Sequence, residues 1–221
     1  RGFKDLLTGT SAPLFDYGTN PKGDEMSSKT ASLTIVDRIW PVESQAGHLL
    51  RSVCVVLFGT LLLTLSAKVK VPFYPVPMTM QTMVVLMISA SCGMRMGLSV
   101  VTAYLLEGVV GLPVFADTPE RGIGLAYMMG PTGGYLLGFL VAAGVTGFMA
   151  DRGLARRLPS LLALMVVGHA LMFACGFAYL GQLIGFDQAW LVGVLPFLPS
   201  TAVKIALGAS LQKGADLWSR L

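Results

Sequence analysis

Lys204 stands inside an apolar run, between "STAV" and "IALGA". In hydrocarbon a lysine costs on the order of 3 kcal/mol on insertion scales unless its ammonium reaches water, headgroups or an anion. Two roles are open to it. It snorkels to the outer headgroups, or it faces a cavity and holds an anionic group such as a carboxylate. Glu107, in another apolar run, is open to pairing with a basic residue, a ligand amide or a structural hydrogen-bond partner. Gln81 follows a proline-rich stretch and offers both donors and an acceptor, to cap a helix end or bind a neutral polar group. His169 is alone in its run and reads as a core residue with its hydrogen bonds met. Phe73, Tyr74, Phe115, Tyr127 and Tyr135 gather in or beside connecting segments. Aromatics there anchor at a membrane interface or enclose a small apolar ring.

Other chemistries find no foothold. His48 and His169 form no HExxH, and no GxSxG or Ser/Lys pairing offers a nucleophile. "GPTGG", residues 130–134, lacks the GxxxxGK[ST] spacing that cradles nucleotide phosphates. Cys54, Cys92 and Cys175 lie in apolar runs without CxxC or metal-ligand spacing, as buried free thiols do. The pI of about 9.1 comes from scattered basic residues that form no stripe, so nucleic acid is not an expected partner. The expectation is a non-enzyme without metal or cofactor.

The elements that position these residues follow from composition. The chain has 221 residues, 54% hydrophobic and 13% charged, with a mean hydropathy of +0.69. Soluble domains carry about 25% charged residues. The deficit points to an integral membrane protein, and long apolar runs favour helices over a membrane β-barrel. Residues 1–40 are polar without a sustained period and are expected to be a disordered extension. Met26 reads as a natural start, which would put 1–25 outside the functional protein, and no signal-peptide pattern is present. Residues 41–221 are predicted to form a six-helix membrane domain, with helices at 48–67, 79–93, 97–112, 132–150, 159–184 and 200–218. The second and third are short for a span of about 20 residues. Pro196 and Pro199 mark 185–199 as a loop or short interfacial helix, with Trp190 near the headgroups. In the fourth helix Gly130, Gly134, Gly138, Ala142, Thr146 and Ala150 recur at every fourth position, a stripe that lets another helix approach closely.

Lysine and arginine placement gives the orientation. With both termini cytoplasmic, that side receives Lys29, Arg38, Arg51, Arg95, Arg152, Arg156, Arg157, Lys213 and Arg220, while the outside receives only Lys68, Lys70 and Arg121. The loop "VPFYPVPMT", the 113–131 segment and the 185–199 segment then share the outer face. Irregular backbone at membrane depth survives only where protein buries it or water reaches it, so three such segments suggest the lid of a cavity.

Three motifs in order, "VPFYPVPMTMQT" at 71–82, "YLLEGVVGLPVFA" at 104–116 and "GPTGGYLLGF" at 130–139, closely resemble the BioY family of biotin transporters. The resemblance covers about 48–213. It implies the substrate-binding S component of an energy-coupling factor (ECF) transporter: an all-α, six-helix fold in the cytoplasmic membrane that holds biotin under outer loops. Biotin would be the transported substrate, not a cofactor. The expected partners are the bilayer and, for energized uptake, a coupling membrane subunit with ATPase subunits. An S component for another carboxylated vitamin or precursor, or a biotin transporter working without a dedicated energizing module, is the alternative. The family opens its last helix with Pro-Gly-Asp-x-x-Lys; here it is "PSTAVK", residues 199–204. Lys204 matches the lysine and would meet the valerate carboxylate. Thr201 replaces the aspartate as a neutral, weaker acceptor for a ureido N–H, with Asp117 or Glu107 as further candidates to assist. Gln81, Phe73, Phe115 and Tyr135 complete the expected substrate-binding set. The Ala-x-x-x-Ala docking motif of the family's first helix has only Ser52, Thr60 and Thr64 on one face here, with Gly59 beside them.

Overall fold

The computed structural model describes residues 34–73 and 78–219, all within the unit Ser32–Leu221. The expectations for residues 1–33, for Tyr74, Pro75 and Pro77, and for Arg220 lie outside the described residues. Residues 34–40, placed by sequence in the polar extension, begin with a short helix, α1 (Ile35–Ile39). Thr34 and Asp37 close it with a capping box, each side chain meeting the other's backbone N–H.

The long elements follow in order: α2 (Gln45–Lys68), a two-residue ribbon of β1 (Lys70–Val71) and β2 (Met78–Thr79), α3 (Gln81–Val109), α4 (Gly124–Met128), α5 (Gly133–Asp151), α6 (Leu158–Ile184), α7 (Phe186–Ala189) and α8 (Leu198–Trp218). The ribbon is antiparallel, Lys70 opposite Thr79 and Val71 opposite Met78, and it closes the base of the proline loop. Among the described residues five helices are long and apolar enough to cross a membrane, counting Phe186–Trp218 as one.

The second of the five is a folded pair. Gly93 breaks α3 with φ 79° and ψ 179°, a backbone open only to glycine. A straight helix would hold residues 81 and 104 about 35 Å apart. Instead the Gln81 side-chain amide donates to the Tyr104 hydroxyl at 2.7 Å. A Cβ on Gly97 would fall 2.9 Å from the Ser89 Cα, so the two legs also press together beside the bend. The chain therefore makes the six helical legs expected, with the second and third as a tight hairpin. Asp151 braces the bend by accepting from the Met94 amide at 3.0 Å.

The small-residue stripe of α5 packs on α6. A Cβ on Gly134 would meet the Tyr179 Cβ at 2.4 Å and the Cys175 carbonyl at 2.7 Å, and one on Gly138 the Met172 Cα at 2.9 Å. The other side of α5 packs on the hairpin, where a Cβ on Gly147 would fall 2.5 Å from the Met94 Cα. The core between these helices is filled by Leu63, Val85, Leu86, Val100, Tyr104, Phe139, Leu161 and Met165. α2 buries only a narrow face and turns Leu49, Leu57, Phe58, Leu61 and Leu65 outward, as a lipid-facing helix does.

Of the two forms expected for residues 185–199, loop or short helix, the structure has helix: after α7 the chain continues as a π turn (Trp190–Val194) and a 3-10 turn (Leu195–Phe197) into α8. Pro196 and Pro199 each stand in the first turn of a helical segment, where a missing N–H costs nothing.

The ends of α1 and α8 meet. Arg38 donates to the buried Asp216 at 2.8 Å, and Lys213 reaches Asp216 at 3.3 Å and the Arg156 carbonyl at 2.7 Å. The start of the first membrane helix, tied to α1 by the Arg51–Asp37 ion pair, and the end of the last thus lie on one side, as the charge bias requires.

Candidate functional site

The seam between α3, α6 and α8 is built in layers. Its floor is apolar: a Cβ on Gly208 would touch the Met83 Cγ at 2.9 Å and the Met165 Cε at 3.7 Å. Helix periodicity places the next layer. On α8, Lys204 is one turn before Gly208; on α6, His169 is one turn after Met165. These helices run in opposite directions, so both steps lead outward from the floor. Thr82 adjoins Met83 on α3. The Lys204 Nζ lies 3.3 Å from the Thr82 hydroxyl.

Lys204 is 5% exposed. That rules out snorkelling: an ammonium in the headgroups would stand free of the protein. It is a cation enclosed by helices, with a single long hydrogen bond, to a neutral hydroxyl, among the described residues. Such a group is poorly compensated, and a ligand carboxylate would complete it.

A second polar chain runs beside this layer. Gln81 donates to the Tyr104 hydroxyl, which donates onward to the Val114 carbonyl at 2.9 Å. Phe115 meets the Tyr104 ring edge-on at 5.4 Å and stacks on Tyr127 at 5.1 Å. Gly108 is what admits Phe115, since a Cβ there would fall 1.9 Å from its Cζ. The Tyr127 hydroxyl donates to the Ala116 carbonyl at 2.8 Å, and burial raises the pKa of that phenol. Gln81 and Phe115 are therefore joined through Tyr104, which ties the outer 113–116 segment to the hairpin.

Thr201 lies one turn outward of Lys204 and donates its hydroxyl proton to the Phe197 carbonyl at 2.8 Å, which leaves its lone pairs as acceptors. Tyr135 donates to the Gly193 carbonyl at 2.7 Å and meets Phe173 edge-on at 6.5 Å. Phe173 is one turn outward of His169, so the ring stands on the α6 side of the seam. Phe73 is half-buried beside the ribbon. Glu107 is half-buried with no hydrogen-bond or ion-pair partner among the described residues, so neither the basic partner nor the structural hydrogen bond open to it in the sequence is made there. On α2, Gly59 and Thr60 are buried, and a Cβ on Gly59 would meet the Val100 Cγ1 at 2.6 Å. Those small residues serve internal packing.

Asp117 belongs to a different place, an outer hollow of about 590 Å³ lined by Lys68, Lys70, Asp117, Thr118, Glu120 and Arg121. Its backbone is left-handed at φ 56°, which aspartate tolerates better than most residues. The Lys70 Nζ lies 2.5 Å from Oδ1 and the Arg121 Nε 3.4 Å from Oδ2. Lys68 adds hydrogen bonds to the Thr118 carbonyl and hydroxyl at 2.5 and 2.8 Å. Together these clasp the ribbon to the 113–122 segment.

The Lys70 ammonium, with help from Arg121, holds the Asp117 carboxyl below its ordinary pKa of 3.8. A lowered folded-state pKa gives stability that is present above the unfolded value and lost as pH falls through the lower folded one. The clasp is thus intact at neutral pH and opens only below 3.8. Asp117→Asn should mimic that opening at neutral pH. Because the pair is partly exposed, its worth is at most about 1 kcal/mol. Tryptic cleavage at Lys68 and Lys70 is expected to accelerate by up to about fivefold; an unchanged rate would mean that the pair does not hold the ribbon.

Thr82 and Tyr104 were not visible as site residues in the sequence. A threonine beside glutamine and a tyrosine in an apolar run carry no signal until the hairpin sets Gln81 against Tyr104 and α8 sets Lys204 against Thr82.

Comparison with known proteins gives one family throughout. Residues 31–220 match the model of the BioY family. A probable biotin transporter BioY from Pyrococcus horikoshii is 33% identical over 156 residues, 71% of this chain and 90% of its own length. A biotin transporter BioY from Rhizobium etli is 34% identical over 166 residues, 70% of this chain and 87% of its own. The crystal structure of an S-component for biotin from an ECF-type ABC transporter aligns with a TM-score of 0.66 at 21% identity, covering 78% of this chain and 93% of that one. At that identity the likeness establishes the shared fold.

Proposed function

The chain belongs to the BioY family, and from that membership and the enclosed lysine of the α3–α6–α8 seam we propose that it takes up biotin as the S component of an ECF transporter. The single observation that carries the site is Lys204: a buried cation whose hydrogen bond is one 3.3 Å contact with Thr82. The valerate carboxylate of biotin supplies the missing anion. The apolar floor of Met83 and Met165 and the aromatic wall of Phe173 and Tyr135 suit the thioether ring and the aliphatic chain. Thr201, one turn outward, offers lone pairs to a ureido N–H. Gln81 and Phe115 shape the roof through Tyr104, with Phe73 at its edge.

Biotin enters from the outer face of the cytoplasmic membrane, beneath the clasped ribbon. The sequence carries no nucleotide-binding motif, so the energy for uptake comes from ATPase subunits through a coupling membrane subunit. The outward apolar face of α2 is available to lipid or to that subunit.

Thr201 favours a second reading. Its hydroxyl proton is taken by Phe197, so it presents a neutral acceptor where the family places a carboxylate. A different carboxylated vitamin or precursor, without a strong N–H donor, would use the same lysine. Equilibrium binding of labelled biotin to the purified protein separates the two. Saturable submicromolar binding, one biotin per chain, is the expected result. Binding only above micromolar, with tighter competition by another carboxylated vitamin, would favour the second.

A further inference from the structure

On the premise that the seam binds biotin, we infer that His169 is a ligand-binding residue whose Nε2 accepts an N–H from the molecule held by Lys204. The sequence gives this histidine no such role. In the structure only half of its hydrogen-bonding capacity is met. Nδ1 lies 2.9 Å from the Met165 carbonyl oxygen, one turn earlier in α6. A carbonyl only accepts, so Nδ1 carries the proton and the neutral ring presents a bare lone pair at Nε2. That nitrogen is buried with no partner among the described residues, in a side chain only 3% exposed. Buried polar atoms are rarely left so, and an unpaired one costs about 1–3 kcal/mol.

The same layer holds the opposite deficit. Lys204 has three N–H donors and a hydrogen bond to Thr82 at 3.3 Å. The two helices place both residues one turn outward of the Met83–Met165–Gly208 floor, so an acceptor in need of a donor and a cation in need of an anion share one seam. A ligand that answers both carries an anionic oxygen and, elsewhere, an N–H. Biotin has a carboxylate and ureido N–H groups. The carboxylate goes to Lys204, because a lone pair at Nε2 repels it. The N–H goes to His169, and an imidazole nitrogen is a more basic acceptor than the Thr201 hydroxyl. His169 thereby supplies part of what a carboxylate at position 201 would give.

The test compares His169→Leu, which removes the acceptor, with His169→Gln, whose side-chain oxygen reaches the same region. Each variant is first checked for a wild-type melting transition in detergent. Biotin and a biotin methylated at its ureido nitrogens are then titrated against both variants and the wild type. His169→Leu is expected to weaken biotin about tenfold or more, and His169→Gln to stay within about threefold of wild type. Methylation is expected to weaken binding to the wild type and to make no further difference in the leucine variant. Equal biotin affinity in wild type and His169→Leu would overturn the role of His169 while leaving the biotin site standing. Equal losses in the leucine and glutamine variants would also overturn it, in favour of packing. Absence of biotin binding by the wild type would remove the premise and the role together.

Discussion

Lys204→Met should weaken biotin binding by about 100-fold while the empty protein melts at the same temperature or higher. The two halves of this result have one cause. Without ligand, the Lys204 ammonium is enclosed with only a 3.3 Å contact to the Thr82 hydroxyl among the described residues. Replacing a poorly compensated buried charge by an apolar chain of similar shape is often neutral or stabilising. With ligand, the carboxylate would make a charge-assisted contact away from water, and truncating one partner of such a pair costs about 2–5 kcal/mol. A factor of 100 corresponds to about 2.7 kcal/mol, within that range. Lys204→Arg keeps the charge but moves it outward on a broader head group, so it should fall between the two. Thermal shift with and without saturating biotin reads both halves at once. A melting temperature that falls in Lys204→Met without ligand, with biotin affinity unchanged, would assign the lysine to structure alone.

Gly93→Val is expected to give the largest loss of stability. At φ 79° and ψ 179° a side chain clashes with its own backbone, and residues forced into such regions cost of order 1–3 kcal/mol. The neighbours add to that. A Cβ would fall 2.1 Å from the Asp151 Oδ1 and 3.2 Å from the Thr34 Cγ2. Moving Asp151 aside would also break its hydrogen bond from the Met94 amide. The total is on the order of 3 kcal/mol or more. If the hairpin opens, Gln81 and Thr82 leave Tyr104 and Lys204, so biotin binding should fall with stability. A variant that expressed, melted and bound as wild type would show that the bend does not depend on glycine.

Much of this architecture is legible in the sequence because membrane helices announce themselves by apolar length. The legs at 79–93 and 97–112 were separable because "CGMRMG" interrupts the apolar run with glycine and arginine. What is not legible is how tight the reversal is: Gly93 turns the chain so closely that Gln81 reaches Tyr104, and that pairing makes Tyr104 part of the site. Residues 185–199 stay open between loop and short helix in the sequence: Pro196 and Pro199 break a helix interior but are tolerated in a first turn, and the sequence does not say which position they hold. Lys204 stood out because a lysine among apolar residues is costly wherever it points. His169 did not, because a histidine with one nitrogen satisfied and one bare looks the same in sequence as a histidine with both satisfied. Glu107 and Asp117 illustrate the limits of charge alone. One is half-buried without a partner among the described residues, and the other is engaged by Lys70 and Arg121 in the outer clasp.

If a carboxylate completes Lys204, the wild-type protein must distinguish biotin from biotin amide, which differ in that one charge, when it is titrated with each. Biotin should bind about 100-fold more tightly than the amide, and Lys204→Met should bring the two affinities within about threefold of each other. Equal affinity of the wild type for biotin and its amide would mean that Lys204 holds no carboxylate.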